Sequence, residues 1–163
     1  MPRFVDAPEV EAVAQALIRA IPQHEPLARH LIRYVWREAD TPAHRGGREV
    51  WGTARVLTGL ARHLADDAEA VVTIEHDVWR ALTGEQQRAL VDHELCHLTE
   101  TDGGALSTEA HDVEEFAAVI QRHGLWRPDL RMVGVVVREL SLLDEPETRR
   151  GNVTPLRRAG GEG

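Results

Sequence analysis

The chain has 163 residues, 42% of them hydrophobic and 28% charged, which suits one soluble domain with a real core. Its net charge of −8, with every basic residue an Arg, argues against non-specific nucleic-acid binding, which depends on neutralising phosphates. A single cysteine, Cys96, excludes an intramolecular disulfide, and no signal-like or bilayer-length apolar run is present, so the expectation is a cytoplasmic protein with no membrane partner.

Pro8 to Ile21 places Val10, Val13, Ala14, Leu17, Ile18 and Ile21 on one stripe and predicts an amphipathic helix, with Asp6 as its cap and Pro22 after its end. Leu31 to Trp36 is dense in β-branched and aromatic residues and predicts the first strand. Thr41 to Arg48 is a loop by its Pro and Gly content, with His44 exposed on it. Val50 to Leu64 alternates and reads as a strand kinked at Gly59, ending near a surface His63. Ala70 to Asp77 is a short Val- and Ile-rich strand.

Thr83 and Gln86 then form a capping box that opens a helix reaching about Thr99. This helix carries ALVDHELCHL, from Ala89 to Leu98. His93 and His97 are four apart and share a face, so both imidazoles can hold one metal ion. Glu94, about 100° round the helix, can reach a water on that metal. Val91, Leu95 and Leu98 form the apolar back, and Leu90, His93, Glu94 and His97 the front. Cys96 turns away from His97 and reads as a small buried residue.

A catalytic zinc takes three protein ligands and keeps one position for water. The Thr101-Asp102-Gly103-Gly104 turn allows the following segment to double back, and a helix is predicted over about Glu109 to Arg122. His111, in its first turn, is the favoured third ligand. Glu114 or Glu115 could orient a ligand from behind or replace His111. Met132 to Leu143 is a strand or a buried helix, and residues 144–163 read as a disordered tail.

VDHELCHL, followed by HDVEEFAAVIQRHGLW from His111 to Trp126, resembles the putative phage metallopeptidase family of zincin-like proteins. The approach AVVTIEHDVWRALTGEQQRALVDHELCHL fits the same pattern of strand, turn and motif helix. The chain is more distantly similar to SprT-like metalloproteases, whose third His and following Phe fall at His111 and Phe116 here. The resemblance covers roughly residues 32–126 and implies a small zincin fold, with a mixed sheet on the motif helix and the strand before that helix edging the cleft. It implies His93, His97 and His111 as zinc ligands and Glu94 as general base.

The expectation is therefore an α+β, zincin-like domain over residues 1–143, its short mixed sheet packed against the HExxH helix and a following helix. Its expected activity is zinc-dependent hydrolysis of a peptide or protein substrate, with no nucleic acid involved. The rival readings are a non-catalytic zinc-binding structural or regulatory protein of phage or mobile-element origin, and a zinc hydrolase of a non-peptide bond. For the oxyanion, Tyr34, His76 and several Arg are candidates.

Overall fold

A computed structural model describes residues 1–111, 120, 122–125 and 128–143. They belong to two compact units, one over 1–111 and one from 112 onward.

In the first unit, β1 (Arg3–Asp6), β2 (Ile32–Glu38), β6 (Ala70–Glu75) and β5 (Gly52–Val56) form a sheet in the order β1-β2-β6-β5. The sheet is mixed: β2 and β6 run parallel, whereas β1 and β5 pair antiparallel with their neighbours. Between β2 and β5 lies a short hairpin, β3 (His44–Arg45) and β4 (Arg48–Glu49), where the sequence reads as plain loop.

Residues in register share a face of a sheet, so one face carries the rows Tyr34-Val72-Ala54 and Trp36-Ile74-Gly52. Tyr34, Trp36, Val72 and Ile74 are buried, and this is the core face. The helix α1 (Pro8–Ala20) contributes Val10, Ala14, Leu17 and Ile18 to the same core, as its stripe predicts. Its cap differs from expectation. Ala7 occupies the N-cap with no side-chain bond, because Asp6 is drawn into β1 and accepts from Arg33 at 2.8 Å.

The stretch from Val50 to Leu64 is a strand only as far as Val56; Gly59–Leu64 is a helix, α2. Gly59 has a φ of 53°, a left-handed conformation open to glycine, and it marks the change of element. β6 ends at Glu75, and His76–Ala81 forms a short helix, α3, leading to the motif helix α4 (Gly84–Cys96). The capping box is as the sequence predicts. Thr83 Oγ1 accepts from Gln86 N at 3.3 Å, and Gln86 Oε1 accepts from Thr83 N at 2.9 Å. α4 packs against α1 and β5 through Val91 and Leu95, both fully buried, each contributing about 1.5–3 kcal/mol.

α4 is shorter than expected, with His97 as its C-cap, and the chain goes straight into β7 (Leu98–Glu100). After the Gly103-Gly104 turn comes β8 (Leu106–Thr108), antiparallel to β7. Ser107 and Thr108, just before the predicted helix, are thus part of a strand. Glu114, Glu115 and Phe116, the predicted helix around them and the tail of residues 144–163 lie outside the described residues.

A part-buried ion cluster joins the end of the Pro22–Arg29 turn, the approach to β6 and the strand β7. His30 is hydrogen-bonded to Glu69 through Nδ1 and to Glu100 through Nε2, each at 2.7 Å. Burial disfavours the His30 cation, but the Glu100 and Glu69 carboxylates outweigh it and hold the imidazole above its usual pKa. Linkage then fixes the sign. The contribution of His30 is full below its unfolded pKa of about 6.5 and is lost as pH rises through the folded value. The melting temperature is expected to fall between pH 6 and pH 9 in wild type. His30→Gln should melt lower at pH 6 and show a flatter profile; an unchanged slope would remove His30 from the account.

In the second unit, Pro128–Leu143 is a helix, one of the two forms its Val-rich sequence allows. It is not a buried one: Met132, Val135, Val137 and Leu140 are exposed, whereas Leu130 is buried. Among the described residues, no helix is long and apolar enough to cross a membrane.

Candidate metal centre

Three imidazoles converge at the C-terminal end of α4. The ligand atoms of His93, His97 and His111 all lie within 4.8 Å of one another. His93 Nε2 and His111 Nε2 are 3.2 Å apart. Two nitrogens on one tetrahedral zinc, each at 2.0–2.1 Å from it, sit about 3.3–3.4 Å apart, so this pair already has a ligand spacing. His97 is held differently: its Nδ1 donates to the Glu109 carbonyl at 2.7 Å. That bond fixes the tautomer and leaves Nε2 to face the cluster.

Sequence reasoning places His111 in a helix, and the structure brings it back by another route. Leu98 pairs with Thr108 and Glu109 N bonds the His97 carbonyl, so the β7–β8 hairpin returns the chain alongside the end of α4. His111 follows three residues after β8, outside any helix. The two-glycine turn does the doubling back, with Gly104 at φ 78°.

Glu94 does not sit on an open polar front. It is 3% exposed and turned inward toward β5. Burial pushes its carboxyl up to about 7, with the neighbouring His97 acting weakly in the opposite sense. Its Oε2 is buried and accepts no hydrogen bond from any described residue. The other oxygen rests against Gly52: a Cβ at that position would lie 2.6 Å from Glu94 Oε1 and 2.9 Å from Ile74 Cδ1. The sheet therefore has a gap in its core face, in the row Trp36-Ile74-Gly52, and Glu94 fills it. Sequence reasoning missed Gly52, although a glycine inside a strand is itself the signal of a close approach.

Burial also lowers the His93 pKa, as do the nearby His97 and His111, with Asp92 opposing them. A neutral imidazole is the ligating form. A cleft of about 460 Å³ opens beside the cluster, lined by Val50, Trp51, Gly52, Leu90, His93 and Glu94 among others. The strand that edges it is β5, not the strand immediately before α4, because β6 lies in the sheet interior.

The remaining candidates lie elsewhere. Tyr34 is buried in the core, its hydroxyl bonded to no described residue, its pKa raised by burial and then by the Glu11 charge on α1. His76 packs at a tilt against Trp36, ring centroids 5.1 Å apart, and lies 3.8 Å from Glu38. His44 and His63 are exposed, as expected. Cys96 is a correction: it is exposed rather than buried, because it occupies the final turn of α4 and not the Val91-Leu95 stripe.

A mixed sheet backing a capped helix, with three converged imidazoles and an inward carboxylate beside a cleft, defines a small α+β metal-site domain. Residues 2–141 match the putative phage metallopeptidase family, and the chain belongs to it. The match begins at residue 2, so β1 and α1 belong to the family's domain together with the motif region. No curated protein and no solved structure matches the chain. The family implies a metal cofactor, and the three-histidine cluster is a group fit to hold one.

Proposed function

We propose that the protein is a zinc-dependent peptidase, with His93, His97 and His111 as the zinc ligands and Glu94 as the general base. The observation that carries this reading is the buried Oε2 of Glu94, bonded to no described residue, on the helix where three imidazoles converge with one pair at ligand spacing. A purely structural site has no use for such a base. An all-imidazole donor set suits zinc.

Bound zinc supplies Lewis acidity, which activates water near neutral pH and polarises a carbonyl. The protein's own groups do the rest. Glu94 takes the proton of the attacking water on Oε2 and delivers it to the leaving amine. Its raised pKa suits both halves of that transfer. The Glu109 carbonyl keeps His97 turned to the cluster. β5, at the edge of the sheet, offers backbone groups to which an extended peptide can pair. Val50, Trp51 and Leu90 make the adjoining wall apolar, suited to an apolar substrate side chain.

Metal analysis with a peptide-library assay tests the reading. Wild type is expected to hold about one zinc at this centre, to lose cleavage on chelation and to regain it with zinc. His111→Ala should weaken zinc binding by more than the roughly 10–100-fold typical of losing a residue behind a ligand. Full zinc affinity in His111→Ala, or cleavage that survives chelation, would overturn the assignment.

A further inference from the structure

The motif helix carries a second donor pair, out of phase by one residue with His93 and His97. Asp92 and Cys96 are also four apart and so share a face. Facing them is His24, from the 3-10 helix Pro22–Arg29, which packs on α1. His24 is 2% exposed, and its Nε2 lies 2.7 Å from Asp92 Oδ1. The ligand atoms of His24, Asp92 and Cys96 all lie within 4.8 Å of one another.

We propose that these three residues form a second metal site, which takes zinc. Imidazole, carboxylate and thiolate are all zinc ligands, and the thiolate favours zinc over magnesium or calcium. On a tetrahedral zinc such donors sit about 3.3–3.6 Å apart, so small movements suffice. His24 is the fixed member, held by burial. Asp92, with a side chain 40% exposed, and Cys96, exposed at the helix end, form the solvent side of the group. Without the ion, His24 Nε2 and Asp92 Oδ1 are hydrogen-bonded to each other. On binding, the His24 proton shifts to Nδ1 so that Nε2 can ligate, and the Cys96 thiol releases its proton to solvent. The bound ion ties the Pro22–Arg29 turn to the last turn of α4, the turn that leads into His97.

Cobalt titration separates this site from the first, independently of any catalysis. The three-histidine centre has no sulfur, and Cys96 is the only cysteine. Wild type is expected to bind about two Co²⁺ per chain and to show a thiolate-to-cobalt charge-transfer band. His93→Ala/His97→Ala should keep the band, whereas Cys96→Ser should lose it and still bind the other ion. His24→Gln should weaken the band; if that variant fails to fold, Asp92→Asn takes its place. Zinc should also slow alkylation of Cys96 in wild type by about tenfold or more. Absence of the band at saturating cobalt would overturn the proposal. So would a band that disappears in His93→Ala/His97→Ala yet persists when His24 or Asp92 is replaced, since Cys96 would then serve the first centre.

Discussion

Glu94→Gln is expected to lower kcat for peptide cleavage by about 10²–10⁴-fold, the usual range for removing a general base. Zinc content should stay at the wild-type level, because Glu94 is not one of the converged ligands. The amide fills the same gap against Gly52 and carries no charge. At pH 8 the folded wild type must bury an ionised carboxylate, which costs stability. The variant is therefore expected to unfold at the same or a higher temperature while being inactive. Loss of activity with retained fold and metal isolates the proton-transfer role. Full activity would mean that another group takes the proton.

Gly52→Ala acts on the same carboxylate from the opposite side. The new methyl would meet Glu94 Oε1 at 2.6 Å and Glu94 Cδ at 2.9 Å, well inside contact distance. Ile74, also at 2.9 Å, is fully buried in the sheet and cannot yield easily. The side chain of Glu94 must therefore move. A displacement of about 1 Å costs about 100-fold in rate, so kcat should drop by about that much with zinc binding preserved. Gly84→Ala is the control: nothing lies within 4 Å of a Cβ there, and activity should not change. Equal loss in both variants would point to general destabilisation rather than to the gap.

The legible parts of the sequence are those with enough residues to show a period or a local reciprocal bond. The α1 stripe is buried as its spacing demands, and the Thr83–Gln86 box opens α4 where expected. β6 is read from its Val and Ile content. The missed elements are short. β1 has four residues, none buried, and β7 and β8 have three each, too few for alternation to register. They exist because a neighbour pairs with them, which is tertiary information. Of the candidate site, the helical pair His93 and His97 is fixed by spacing alone. His111 is reached by composition and a glycine turn, although a hairpin rather than a helix delivers it. The inward turn of Glu94 depends on the empty position at Gly52, 42 residues earlier and visible only once β5 is seated beside β6.

The hairpin has a consequence for how folding and metal capture relate in time. His93 and His111 are separated by 18 positions along the chain, and the bond that orients His97 spans 12. Closing loops of that length carries little entropic penalty, and such contacts form early and reversibly. The core between α1, the sheet and the back of α4 is made of contacts between distant segments, and none of the three imidazoles belongs to it. The candidate metal centre is thus a local clasp at the end of α4, set outside the core. Fraying β8 releases His111 alone, whereas β7 stays tied to the domain through Leu98 in the core and the His30–Glu100 bond, so an ion held there could exchange without unfolding of the domain.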